Sequence, residues 1–266
     1  MHMISSVADL SVVLVEPSHT QAHIVGQFLR NLGVANMQTA ASGADALALL
    51  RRSKPSVVIS AMYLPDMTGT ELVYAMRADD DLEMLPFVLI SSETRPKVLD
   101  PIRQSGACSI LPKPFSEKQL LTALRAVIDY LEPEGQLEVT VDLESLKVLI
   151  VDDSPVSRKF LRHILENLGI ENFLEASNGK EAVSVLGETM VDLVLTDYNM
   201  PEMDGKALVE YIRQQSWQAT VPVLMVTSES NMSRRAAVEQ AGVSAICDKP
   251  FDPKTVKGLI ERAMWG

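Results

Sequence analysis

Asp152-Asp153, Asp197, Thr227 and Lys249-Pro250 each follow a short apolar run, and the runs are Lys147–Val151, Val191–Thr196, Val221–Val226 and Ala245–Cys247. Such runs, bounded by turn residues, read as buried parallel strands. In an open parallel sheet the functional crevice lies outside the carboxyl ends of the strands, at the point where strand order reverses. All of these polar residues therefore converge on one sheet edge. Three carboxylates gathered there repel one another. At about 4 Å and an effective dielectric near 20, each pair costs on the order of 4 kcal/mol. A proton or a cation must relieve that repulsion. A hard, oxygen-liganded ion such as Mg²⁺ suits a carboxylate cluster that also handles phosphate.

The elements that position these residues alternate. After the first strand Ser154-Pro155 opens a helix, with Pro suited to the first helical position, and Gly169 closes it. Asn172–Ala176 is a second strand, followed by a helix opening over Lys180–Leu186. Helices are expected over Lys206–Gln214 and Ser233–Ala241, and Asp252-Pro253 caps a last helix running to about Met264. Five βα units of this length predict a doubly wound, five-stranded parallel sheet.

The same pattern occurs twice. Asn31-Leu32-Gly33 returns as Asn167-Leu168-Gly169, Pro65 as Pro201, Gly69 as Gly205, and Lys113-Pro114-Phe115 as Lys249-Pro250-Phe251. Every offset is 136, for example 201 − 65 = 136. One constant offset from about residue 16 to residue 115 indicates a duplication with almost no insertions or deletions. The expected organisation is a first domain over 10–131, a linker over 132–146 and a second domain over 147–266. The segment Glu132–Leu146 holds five acids and no base, and reads as a solvated linker. Leu137, Val139, Val141 and Leu143 alternate within it, which leaves a short docked strand as the second reading.

The set Asp152-Asp153, Asp197, Thr227 and Lys249-Pro250 resembles that of the bacterial response-regulator receivers, over about residues 147–266. The resemblance implies two flavodoxin-like (βα)5 domains and a role in two-component signalling. It implies that Asp197 is phosphorylated, and that Asp153 and Asp197 hold Mg²⁺ through side chains, Asn199 through its backbone carbonyl and Asp152 through water. Thr227 and Lys249 would stabilise the phosphoryl group, with Thr227 moving toward it. Asn199 and Glu229 flank the route of the attacking water in that family, and here the pair is similar to that of single-domain chemotaxis regulators. One departure concerns the aromatic residue that the family often carries three positions before the lysine. It is Ile246 here, so the usual aromatic rotamer switch is not available.

Reading 136 residues earlier shows a disarmed copy. Asp152 corresponds to Glu16, Asp153 to Pro17, Asp197 to Ala61 and Thr227 to Ser91, while Lys113 remains. A methyl group cannot take a phosphoryl group, and one carboxylate is a poor Mg²⁺ site. Glu16 and Lys113 are expected to pair, and Asp66, in the loop after the strand, is a weak substitute. Pro96 and Pro101 fall where the fourth helix belongs. Pro inside a helix costs about 3 kcal/mol, so the expectation is a short helix capped at Asp100-Pro101, with 94–99 as loop. The first copy thus reads as a pseudoreceiver used for docking or dimerisation, against the plainer reading of a decaying duplicate.

The net charge of −11 argues against nucleic-acid binding. No apolar run is long enough to span a bilayer, and two cysteines, Cys108 and Cys247, fit no disulfide framework or metal motif. A cytoplasmic protein is expected. The resemblance implies a sensor histidine kinase or phosphotransfer protein as phosphodonor. The output would be protein–protein interaction, since the chain ends at Trp265-Gly266 directly after the last expected helix; a homodimer stays open. No enzyme activity is expected beyond the chain's own phosphorylation and dephosphorylation. The alternative is a phosphate sink or relay intermediate without a downstream target. A phosphatase with an aspartyl intermediate is disfavoured, because such enzymes carry an acid where Asn199 stands.

Overall fold

The computed structural model describes residues 4–132, 143–228, 232–250 and 253–265. The chain divides into two compact units, Met1–Glu132 and Pro133–Gly266. In the first, a 3-10 turn (Val7–Asp9) precedes β1 (Ser11–Val15), α1 (His19–Asn31), β2 (Asn36–Ala40), α2 (Gly43–Ser53) and β3 (Val57–Ala61). Then come α3 (Gly69–Arg77), β4 (Phe87–Ser91), α4 (Pro96–Gln104), β5 (Ser109–Pro112) and α5 (Glu117–Leu131). The second has a 3-10 turn (Leu143–Ser145), β6 (Lys147–Val151), α6 (Pro155–Asn167), β7 (Asn172–Ala176), α7 (Gly179–Glu188) and β8 (Leu193–Thr196). It continues with α8 (Gly205–Gln214), β9 (Val223–Thr227), α9 (Met232–Gln240), β10 (Ala245–Asp248) and α10 (Pro253–Trp265).

Both sheets are parallel and have the same order, β2-β1-β3-β4-β5 and β7-β6-β8-β9-β10. This is the flavodoxin-like order, whose switch point lies between the first and third strands of each copy. The central strands are apolar throughout because helices cover both faces. Val148–Val151, Leu193–Leu195 and Val223–Val226 are all buried, as are Val57–Ile59 and Phe87–Ile90 in the first copy. The second strands, at the sheet edges, are mostly exposed or half-buried, which explains their weaker apolar pattern.

Helix ends follow local chemistry. Ser18 and Ser154 cap α1 and α6, their hydroxyls accepting from the N–H groups of Gln21 and Ser157. Gly33 and Gly169 follow these helices with φ of 95°, a conformation that costs glycine nothing and other residues much. Both cysteines are buried, and burial pushes the Cys108 thiol up to about 11.

Three expectations need correction or restriction. Residues 94–99 are not all loop: α4 begins at Pro96, where a missing N–H costs nothing, and runs through Pro101. Leu99 and Ile102 are buried along its inner face, and the Tyr74 hydroxyl donates to the Pro101 carbonyl at 3.2 Å. That packing outweighs the single helical bond that Pro101 cannot make. The end of the acidic segment is also structured, since Leu143–Ser145 forms a turn matching Val7–Asp9 at the same offset, 143 − 7 = 136. Residues 133–142, Glu229 and the capping residue Asp252 lie outside the described residues.

Candidate functional site

Strand pairing brings the site together. The Asp197 N–H donates to the Val151 carbonyl at 2.8 Å, which sets the end of β8 beside the end of β6. The Lys249 N–H donates to the Thr227 carbonyl at 2.7 Å, linking the ends of β10 and β9. Asp152, Asp197, Thr227 and Lys249 are all buried there. Asp153 stands exposed at the rim, and Asn199 is exposed just beyond β8.

The Lys249 ammonium is the hub. Its Nζ lies 2.6 Å from Asp152 Oδ2 and 3.2 Å from Asp197 Oδ1. Burial alone would lower its pKa, but Asp152 and then Asp197 outweigh burial and hold it above the usual lysine range. Burial pushes the Asp197 carboxyl up from 3.8 to about 6, against the pull of Lys249. Desolvation, then the Asp152 charge, also raises Asp153. The cluster thus holds more negative charge than one ammonium stabilises.

Asp197 Oδ2 accepts the Asn199 N–H at 3.1 Å, whereas Oδ1 is buried without a hydrogen bond. The Lys249 ammonium at 3.2 Å offsets part of the cost of burying it. Among the described residues no three acidic, histidine or cysteine side chains form a metal cage by themselves. Mg²⁺ commonly takes one or two carboxylates and keeps several waters. Asp197, with one oxygen that accepts no hydrogen bond, and the rim carboxylate Asp153 fit that set.

Sequence reasoning assigned no role to several supporting groups. Ser157, in the first turn of α6, accepts from Lys249 Nζ at 3.1 Å. The Arg158 guanidinium donates to the Asp152 carbonyl at 2.7 Å and pairs with Glu175 at 2.9 Å. Gly205 opens α8 against the strand end, where an added Cβ would lie 2.2 Å from the Asp197 carbonyl oxygen. Its recurrence as Gly69, with Cβ space closed by the Ala61 carbonyl at 2.7 Å, was the available signal.

The first copy keeps the frame and loses the cluster. Ala61 ends β3, Pro17 follows Glu16, and Lys113 Nζ lies 3.0 Å from Glu16 Oε2. The Lys113 N–H donates to the Ser91 carbonyl at 2.8 Å, like its counterpart. Ser91 Oγ accepts the Glu93 N–H at 2.9 Å, and Glu93 is held down to about 2 by Arg95. Glu93 stands where the second copy has Glu229 (229 − 93 = 136). Asp66 is engaged elsewhere: its carboxylate accepts the N–H groups of Gly43 and Ala44, both at 2.8 Å, and these bonds lower its pKa.

Fold and site together define a receiver-type α/β domain, present twice. The chain belongs to the response regulator receiver domain family, whose model matches residues 12–125 and again 148–261. It is a response-regulator chain of two-component signalling. It is 37% identical over 117 residues to chemotaxis protein CheY1 of Helicobacter pylori, a match covering 44% of this chain and 94% of that protein. The match to a CheY homolog of Campylobacter jejuni has the same identity and covers 90% of that protein. Among solved structures, the chemotaxis response regulator CheY4 of Vibrio cholerae is 32% identical, with a TM-score of 0.42. That match covers 44% of this chain and 98% of the other. Among the described residues no helix is long and apolar enough to cross a membrane.

Proposed function

We propose that the second domain accepts a phosphoryl group on Asp197 and that the first is a pseudoreceiver that cannot. The observation carrying this is the contrast at one strand end. Asp197 presents a buried carboxylate oxygen ion-paired with Lys249 at 3.2 Å, and Ala61 presents a methyl group at the matching place.

The phosphodonor is a sensor histidine kinase or a phosphotransfer protein. An Asp197 oxygen attacks phosphorus, the bond from phosphorus to the donor nitrogen breaks, and the electron pair and a proton remain with the donor imidazole. Lys249 offsets charge on the phosphoryl oxygens, and the Thr227 hydroxyl donates to one of them. The Asp153 and Asp197 side chains, the Asn199 carbonyl and, through water, Asp152 would hold Mg²⁺, which would supply further charge neutralisation at those oxygens. Asn199 and Glu229 tune the reverse step, attack by water. The chain carries no other catalytic activity.

Output is by protein–protein contact, in the cytoplasm and without nucleic acid. The names of the relatives support a chemotaxis setting. For the first domain a docking role is supported by a groove of about 460 Å³ between α1 and the Lys113–Phe115 loop, where Ile24 is exposed and Phe28 meets Phe115 edge-on.

Intact mass after treatment with acetyl phosphate and Mg²⁺ tests the acceptor. One adduct is expected, lost in Asp197→Asn and absent without Mg²⁺. An adduct that survives in Asp197→Asn would overturn the assignment. Deleting residues 1–131 tests the first domain. Unchanged partner binding, oligomeric state and phosphoryl turnover would reduce it to a passive duplicate.

A further inference from the structure

We infer that Ser157 is a positioning residue for Lys249, an inference that rests on Asp197 being the phosphoacceptor. Four residues form a closed hydrogen-bonded ring at the head of α6. Ser154 N–H donates to Asp152 Oδ1 at 2.9 Å, and Ser157 N–H donates to Ser154 Oγ at 3.2 Å. Lys249 Nζ then donates to Ser157 Oγ at 3.1 Å and to Asp152 Oδ2 at 2.6 Å. The ring is buried at Asp152, Ser157 and Lys249.

The partners of the ammonium differ in kind. Asp152 is a charged acceptor, and Asp197, whose Oδ1 lies at 3.2 Å, is the phosphoacceptor. Ser157 is neutral: it holds the ammonium toward α6 without cancelling its charge. An ammonium drawn fully onto Asp197 would mask the nucleophile and be unavailable to the phosphoryl oxygens. A neutral hydroxyl competing for the ammonium at 3.1 Å keeps it from settling on Asp197, so that it can turn toward the arriving group at little cost.

The duplicate supplies a contrast. The residue matching Ser157 is Gln21 (157 − 136 = 21), and Lys113 pairs with Glu16 while its side chain keeps 26% of its surface exposed, against 1% for Lys249. The copy without the nucleophile also lacks the short hydroxyl.

Ser157→Thr and Ser157→Val have nearly the same shape and differ in the hydroxyl. Phosphorylation of the full chain by acetyl phosphate at saturating Mg²⁺ gives a maximal rate and a half-saturating donor concentration for each. Ser157→Val is expected to lower the maximal rate about fivefold to tenfold. Its half-saturating donor concentration and its calorimetric Mg²⁺ affinity should stay within twofold of wild type, and Ser157→Thr should restore the rate. Ser157→Ala repeats the test without a β-branched side chain should the valine variant fail to fold. Equal rates in the hydroxyl-bearing and hydroxyl-free variants would overturn the inference, as would a fall in Mg²⁺ affinity matching the fall in rate. A wild type that takes no phosphoryl group while binding Mg²⁺ would instead defeat the phosphoacceptor reading, and this inference with it.

Discussion

Lys113 and Glu16 form a 3.0 Å ion pair at the place where Lys249 and Asp152 form one of 2.6 Å. The longer glutamate side chain reaches the lysine directly and also accepts the Ser18 N–H at 3.0 Å. In the second copy the Asp197 carboxylate also lies against the matching lysine, at 3.2 Å, and Asp153 stands at the rim. In the first, Pro17 and Ala61 have removed both, and the pair is left as a structural clasp. Glu16→Gln keeps the acceptor for Ser18 and loses the charge. Because Lys113 is partly exposed, the cost is expected to be about 1 kcal/mol, seen as a drop of a few degrees in the unfolding temperature of the first domain. No change in that temperature would mean the pair contributes nothing.

Restoring an aspartate at position 61 alone is not expected to restore the site. Ala61→Asp is expected to add no second phosphoryl adduct, since Pro17 supplies no ligand and Glu16 is bound to Lys113. The triple change Glu16→Asp, Pro17→Asp and Ala61→Asp is expected to add one, read by intact mass in an Asp197→Asn background. An adduct from the single change would show that the surviving frame needs no acidic partners.

Mg²⁺ stabilisation of the second domain should depend on pH. Asp197 titrates at about 6 when folded, against an ordinary 3.8. A carboxyl raised on folding contributes stability that is present below the unfolded value and lost as pH rises through the folded one. Metal-free protein therefore loses stability between about pH 4 and pH 6, where the carboxylate charge appears. Mg²⁺ offsets that charge, so its shift of the unfolding temperature should be larger at pH 7 than at pH 5. An equal shift at both would place the ion elsewhere.

Two glycines should respond in opposite directions to alanine. At Gly205 the new Cβ meets the Asp197 carbonyl at 2.2 Å, so α8 or the strand end must move. Gly205→Ala is expected to destabilise the second domain by about 1–3 kcal/mol and to slow phosphorylation. Gly258, inside α10, has nothing within 4 Å of an added Cβ. There alanine should stabilise by about 0.5–1 kcal/mol. Denaturant midpoints of the two variants check both signs.

Arg77 ends α3 and donates to the carbonyls of Ser105, Glu83, Leu85 and Gly106. Its repeat Arg213 donates to those of Gly242, Ala219 and Val221. Arg77 is buried and Arg213 partly exposed. Arg77→Met leaves buried carbonyls unpaired and should cost about 3 kcal/mol or more. Arg213→Met should cost less, because water reaches the freed groups. Chemical denaturation resolved by domain would reveal the reverse order if this reading is wrong.

The duplication and the strand-end residues were legible because glycine, proline and apolar runs carry backbone meaning at fixed spacing. Gly205 must be small and Lys249 must follow a strand, and sequence displays both. Pro101 misled because its cost is local, whereas the burial of Leu99 and Ile102 that offsets it is tertiary. Ser157 and Arg77 stayed hidden for a related reason. A serine in a helix's first turn and an arginine at a helix end are ordinary locally, and their partners include Lys249, 92 residues from Ser157, and Ser105, 28 residues from Arg77.

The uniform spacing has a genetic consequence. Each element of one copy finds its equivalent 136 residues on, from the 3-10 turns to the start of the last helices at Glu117 and Pro253. A crossover between the two coding repeats therefore leaves a single, complete, in-frame domain wherever it falls. A crossover just before the first-strand ends yields Asp152, Asp153 and Asp197 together. One between those ends and the third strands joins Asp197 to Glu16 and Pro17, the proposed phosphoacceptor without the rim carboxylate. The pair of copies is thus a reservoir from which one recombination event can release either a signalling domain or a silent one.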